Sequence, residues 1–265
     1  MRMRFFPRWC QRALLMAICA LALLVLALGP NTVTAQGGFY QVTKLVSNVS
    51  GTARVTDPNL VNSWGLARSP SGPWRVTDNG TGVVTSYLGD GTRLSPVVTV
   101  PPPAGSPPGT TAKPTGNVYN PVNGSEPFDF TIQANGRTGP AIFVFSTEDG
   151  TLSGWNSQID ATHAIRVVDR SNVDAVYKGL AYGRTNTGLD SLYATNFHAG
   201  TVEQFDNHFR LVRSFTDPQL ANNCPLPGQC YAPFGIRNQG GVLVVTFALQ
   251  APGKEDDQAG PGNGF

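Results

Sequence analysis

An all-β fold assembled from a repeated four-stranded unit is what this sequence predicts, on three observations. One phrase recurs: Gly beside an apolar residue, an apolar strand ending in Thr-Asp or Thr-Asn, then Gly and another strand. It reads Trp64-Gly65-Leu66-Ala67, then 74–79 and 82–87, and it returns as Lys178-Gly179-Leu180-Ala181, then 192–196 and 200–206. Composition agrees, with only 14 % charged residues, 30 Gly and 21 Pro, and no helical periodicity after residue 35. The Gly that opens each unit recurs at Gly65, Gly116, Gly179 and Gly235, at spacings of 51, 63 and 56 residues, which suits a four-stranded blade with variable loops. A sandwich or jelly roll also has even strands, but not the repeated phrase. The expected architecture is therefore a β-propeller, with about four blades in this chain and six in a full-length form.

The strands follow in order from runs of Val, Thr, Phe and Tyr between clusters of Gly, Pro, Asn and Asp. They are 40–46, 64–67, 74–77, 83–88, 96–100, 116–119, 128–132, 141–146, 151–155, 164–168, 178–182, 191–195, 201–205, 211–215, 235–237 and 242–247. Gly89-Asp90-Gly91 and Glu148-Asp149-Gly150 read as hairpin turns, because an acidic residue before Gly allows the backbone that a tight turn needs. The Pro/Gly stretch 101–109 reads as a loop excursion, since the repeat resumes at Pro114-Thr115-Gly116.

The ends of the chain carry their own signals. Arg2, Arg4, Arg8 and Arg12 precede an uncharged apolar run of 16 residues, 13–28, and Val33-Thr34-Ala35 supplies small residues ahead of Gln36. This is the pattern of a cleaved export signal over 1–35. The rival is a membrane anchor, but the run is shorter than the roughly 20 residues that span a bilayer. A propeller domain over 36–265 is expected to remain, secreted or held in the periplasm or cell envelope, with no membrane association after cleavage. Cleavage removes four of 19 basic residues and none of the 17 acidic ones, leaving 15 against 17 and a net charge of −2. No basic face then remains for nucleic acid. Cys224 and Cys230, six positions apart in a Pro/Gly loop of an exported chain, are expected to form a disulfide. A metal pair is the alternative, but two thiols without a nearby His make an incomplete zinc site. At the other end, the Gly/Pro turn 260–264 would normally lead into a strand, so the sequence reads as a fragment.

Several strings together carry a resemblance: Asp57-Pro58-Asn59-Leu60-Val61-Asn62-Ser63-Trp64-Gly65-Leu66-Ala67, Asp78-Asn79-Gly80-Thr81-Gly82, 147–155, 177–181 and 256–265. They resemble an uncharacterised family of exported bacterial β-propeller proteins with NHL-like repeats, over essentially all of 38–265. Members of that family run on past the final Gly-Phe with Val-x-Val-Phe-Asp and further blades. The resemblance implies the fold and a missing C-terminal part; it supplies no activity.

Candidate site residues are the polar groups that close the Gly-start strands, since the loops at one propeller mouth gather residues from every blade. Asp78, Asn79, Asn196, Asp256 and Asp257 are placed to converge there, and their oxygens are the ligand set a hard cation such as Ca²⁺ prefers. Propeller lactonases use such a cation to polarise a carbonyl and activate water. The competing reading is structural, because Asp and Asn before Gly are turn formers that bond their own backbone. Likewise 254–257 is either solvated surface or a cation ligand. Of His163, His198 and His208, His198 sits on the loop that closes a repeat and is the one placed to reach the channel. Gly-x-Ser-x-Gly, phosphate-loop, dinucleotide and His-Glu-x-x-His motifs are absent from the sequence. Two functions stay open: a binding scaffold for a protein, glycan or small molecule at the channel mouth, and a Ca²⁺-dependent hydrolase of lactonase type.

Overall fold

The computed structural model describes residues 41–121 and 129–265, so the export signal expected over 1–35 lies outside the described residues. Every element below belongs to one unit, Lys44–Phe265. Among the described residues no helix is long and apolar enough to cross a membrane.

Three complete antiparallel meanders follow one another, which is the all-β, four-stranded repeat the sequence predicts. A short parallel pair, β1 (Val46–Ser47) and β2 (Val55–Thr56), precedes them. Blade 1 is β3 (Ser63–Arg68), β4 (Trp74–Asp78), β5 (Val83–Tyr87) and β6 (Arg93–Thr99). Blade 2 opens on β7 (Pro114–Tyr119), and a hairpin of β8 (Thr131–Ala134) and β9 (Arg137–Pro140) leaves the sheet after it. The blade then resumes with β10 (Phe143–Thr147), β11 (Thr151–Trp155) and β12 (Ile165–Asp169). Blade 3 is β13 (Tyr177–Arg184), β14 (Asp190–Asn196), β15 (Thr201–Asp206) and β16 (Leu211–Phe215). One helical turn, α1 (Pro218–Ala221), starts where the Asp217 carboxylate accepts from the Gln219 and Leu220 N–H groups. The last sheet pairs β17 (Tyr231–Gln239) with β18 (Val242–Leu249). Phe265 and Phe247 exchange both backbone hydrogen bonds at 2.9 Å, so the final residues lie along the outer edge of β18.

Two of the strand expectations need correction. The run 40–46 is not a strand over its described part; only Val46–Ser47 pairs, with a partner at Val55–Thr56 that the sequence reading lacked. The strand expected at 128–132, whose first residue lies outside the described residues, is Thr131–Ala134 and belongs to the side hairpin. Its partner Arg137–Pro140 was not expected. The cause is the Asn135-Gly136 turn, with φ of 53° and 73°, which folds the chain back within two residues. Phe130 and Ile132 then pack with Phe205 and Phe209 of blade 3, which pulls the hairpin off the blade 2 sheet.

The innermost strands β3, β7, β13 and β17 stand side by side around a channel. The repeated glycines explain how they come so close. A Cβ on Gly65 would lie 2.5 Å from the Thr115 carbonyl oxygen of the next blade, and one on Gly116 would lie 2.5 Å from the Leu180 nitrogen. A hydroxyl clasps each junction. The Gly65 N–H donates to Thr77 Oγ1 (2.7 Å), and the Thr77 hydroxyl donates to the Thr115 carbonyl (2.6 Å). Thr115 Oγ1 donates to the Tyr177 carbonyl (2.6 Å) at the second junction. Thr195 Oγ1 accepts from Gly179 (2.7 Å) and donates to the Phe234 carbonyl (2.6 Å) at the third. Each inner strand is thus tied to the next by buried backbone and side-chain bonds.

Between the clasps lie the apolar layers. Val84, Val98, Phe143, Phe145 and Trp155 fill the space between blades 1 and 2, and Val144, Leu152, Tyr177, Leu192 and Phe205 that between blades 2 and 3. Arg75 stacks its guanidinium on the Trp155 ring at 4.1 Å, and burial lowers its pKa to about 10.

Candidate functional site

The residue just before the repeated Gly builds one end of the channel in most of the units. In three of the four units that residue is Trp64, Lys178 or Phe234, and their side chains meet. Lys178 is the centre. Its side chain is 1 % exposed, and its ammonium bonds Glu148 from the β10–β11 turn. Asp256 Oδ1, from the loop after β18, stands 3.4 Å from the same nitrogen. The rings of Trp64, Phe197 and Phe234 surround the ammonium at 5.3, 5.7 and 5.8 Å. Aromatic faces and carboxylates both favour a cation, which is how a lysine is tolerated at such burial.

A polar relay spreads from Lys178 across the blades. Asn79 Nδ2 donates to Glu148 Oε2 (2.9 Å), Asn62 Nδ2 to Asn79 Oδ1 (3.1 Å), and Trp64 Nε1 to Asn62 Oδ1 (3.2 Å). Blade 1 supplies the Trp and both Asn residues, blade 2 Glu148, blade 3 Lys178 and the last sheet Asp256. Beside the relay opens a cleft of about 470 Å³, lined among others by Lys113, Glu148, Asp149, Asp174, His198, Glu255 and Asp256. Burial raises the Asp149 pKa, against a hydrogen bond from the Lys113 N–H. His198 reaches the cleft, and its buried Nδ1 has no hydrogen-bond partner among the described residues.

The five residues expected to converge are therefore divided. Asn79 and Asp256 come together at Glu148 and Lys178. Asp257 is exposed and bridges to Gln250 through backbone. Asp78 and Asn196 sit inside their blades at matching positions. Asp78 accepts from Ser63 Oγ and Thr85 Oγ1, both at 2.7 Å. Asn196 donates to Glu203 (2.9 Å) and accepts from the Val176 and Ala199 N–H groups. The two blades use the same fastener with donor and acceptor exchanged. Among the described residues no three His, Cys, Asp or Glu side chains are grouped to hold a metal ion. Asp78 and Asn196, held inside different blades, do not come together with Asn79 and Asp256 as one ligand set for a cation. The Cys224–Cys230 disulfide is formed.

Asp78 gives a pH prediction. Burial raises its pKa to about 6, against the Ser63 and Thr85 hydrogen bonds. The folded state then holds this proton more tightly than the unfolded chain, whose carboxyl titrates near 4. Its contribution to stability is full below about pH 4 and is lost as pH rises through about 6. Thermal midpoints should fall across that window in the native protein, and the fall should flatten in Asp78→Asn. Asp160 acts separately, at lower pH and with the opposite sign, because the Thr162 N–H holds its carboxyl below the usual range.

Lys178 and Glu148 were not singled out from the sequence. The signal for Lys178 was present: a charged residue occupies the position before the repeated Gly, where the other units have Trp64, Thr115 and Phe234. Glu148 was read only as part of a turn.

No family model matches the chain. Among curated proteins it is similar to two uncharacterised proteins of Acanthamoeba polyphaga mimivirus. One is 27 % identical over 236 residues, covering 88 % of this chain and 54 % of that protein. The other is 25 % identical over 215 residues, covering 80 % and 53 %. The chain spans about half the length of these relatives. Among solved structures it is similar to virginiamycin B lyase from Staphylococcus aureus, with a TM-score of 0.45 and 12 % identity over 73 % of this chain and 54 % of that one. A chain of the nidogen/laminin complex gives a TM-score of 0.44 and 13 % identity over 74 % and 62 %.

Proposed function

We propose that this chain is a binding module that takes its ligand at the channel mouth, in the cleft beside Lys178. One observation carries the reading: a continuous relay from Trp64 to Asp256 draws side chains from all three blades and from the loop after β18 to one place. Binding is favoured over catalysis because Glu148, the carboxylate at the centre, is already held by Lys178 and Asn79. The cleft also chooses a sign of charge. Glu148, Asp149, Asp174, Glu255 and Asp256 line it against Lys113, and Lys178 offsets one of them, so the ligand is a cationic group on a peptide or small molecule. Export to an oxidising compartment belongs to the proposal and is supported by the Cys224–Cys230 disulfide.

Calorimetric titration with lysyl-lysine and spermidine as probes tests this, at low and at high salt. Saturable binding that weakens with salt and falls about tenfold in Asp256→Asn/Glu255→Gln is the expected result. Indifference of both probes to the acidic residues would remove it. A parallel titration with Ca²⁺ addresses the hydrolase reading. Saturable Ca²⁺ binding lost in Asp256→Ala would revive that reading and justify a lactone screen.

A further inference from the structure

The buried side chain of Gln250 links the disulfide loop to the mouth. Cys224 is exposed and Cys230 half-buried, so a small thiol reaches the bond from solvent. Inside the closed loop, the Cys230 carbonyl accepts from the Gln250 N–H (3.0 Å), and Gln229 Nε2 donates to the Gln250 carbonyl (2.8 Å). Gln250 is 3 % exposed, and its own amide reaches the opposite way. Gln250 Nε2 donates to the carbonyls of Phe197 (2.6 Å) and His198 (3.2 Å). Phe197 is one of the rings around the Lys178 ammonium, and His198 lines the cleft. The same Gln250 bridges to Asp257, and the next residue, Ala251, donates its N–H to the Asp256 carbonyl (2.8 Å). One ring and one carboxylate of the Lys178 surround, Phe197 and Asp256, are therefore referenced to one residue that the disulfide loop grips.

We propose that the Cys224–Cys230 disulfide is a redox-sensitive positioning device for the channel mouth, acting through Gln250. The reductant is a small thiol. Its thiolate attacks Sγ of Cys224, the S–S bond breaks and Cys230 leaves as a thiolate that takes up a proton. A second thiol displaces the first, so two external thiols become one external disulfide while the protein gains two cysteine thiols. The opened loop no longer holds Gln229 and Cys230 in place, and Gln250, Phe197–His198 and the Asp256 loop gain freedom together. The blades keep their own clasps, which do not pass through this loop.

The device stands apart from the binding proposal, because its test reads backbone protection with no ligand present. Amide hydrogen exchange of the full chain is measured with and without dithiothreitol. Exchange in 196–200 and 249–258 is expected to quicken on the order of tenfold on reduction, the scale of one lost buried hydrogen bond, while 74–87 of blade 1 is unchanged. Gln250→Leu with the disulfide intact should show the faster exchange in 196–200 without reductant, and reductant should add nothing there. Quickening confined to 222–231 would overturn the proposal, as would an equal rise in all blades, which marks a global staple. A full response to reductant in Gln250→Leu would overturn it too. If Gln250→Leu does not fold, Gln229→Ala removes only one bond to the Gln250 carbonyl and should give part of the same increase; no increase there would equally sink it.

Discussion

Gly116→Ala is expected to destabilise the protein by about 3 kcal/mol, the upper end of the usual cost of overpacking. The added methyl would sit 2.5 Å from the Leu180 nitrogen and 2.6 Å from both Leu180 Cβ and Ser146 Oγ. Two of those atoms belong to the backbone and stem of β13, so relief requires moving one inner strand away from the next. That movement also stretches the Thr115 bond to the Tyr177 carbonyl and opens the apolar layer behind it. Gly235→Ala is the internal control. It occupies the same place in its own unit, yet its Cβ meets only the Thr246 hydroxyl, at 2.8 Å, and relief costs about 1 kcal/mol, the exposed hydrogen bond from the Gly235 N–H to that hydroxyl. Denaturant midpoints at constant slope measure both. Equal effects at the two positions would show that strand approach is not what the glycine serves.

Lys178→Met should cost about as much, near 3 kcal/mol, for a different reason. The substitution keeps the bulk between the rings and removes the charge, which leaves Glu148 a largely buried carboxylate with Asn79 as its one side-chain donor among the described residues. Breaking a buried pair from one side strands the other charge, whereas removing both charges does not. Lys178→Met/Glu148→Gln should therefore recover most of the loss, because a Gln at 148 still accepts from Asn79. A double variant no more stable than Lys178→Met would mean that the lysine stabilises through its stem and the surrounding rings instead.

The architecture was legible because a propeller repeats its rules. The phrase around Gly65 and Gly179 located the inner strands, and the structure supplies the reason: only Gly permits that approach. The disulfide was legible because spacing and an expected oxidising compartment agree. Elsewhere the sequence reading failed for local and for tertiary reasons. Asn135-Gly136 is among the strongest short hairpin signals, yet it lies between the strands expected at 128–132 and 141–146 and was not used. Asp78 and Asn196 carry the right chemistry for a mouth, but side-chain direction within a pleated strand turns them into the blade. Glu148 and Lys178 lie 30 residues apart on different blades, so their meeting depends on the angle between sheets, which no local pattern encodes. The exposure of the Asp256 loop and its reach to Lys178 are likewise products of packing.

The clasp at each junction joins neighbours in sequence, but the mouth does not share that order. Asp256 follows Lys178 by 78 residues. A chain emerging from the ribosome can dock its first three blades one upon another as they appear, with Lys178 already engaged by Glu148. Phe234 and Asp256 arrive only afterwards. Until then Trp64 and Phe197 flank a cation that lacks its third ring and its second carboxylate. The mouth is finished only after the three blades it draws on, and a chain stalled before residue 234 lacks both the ring and the carboxylate that later close over Lys178.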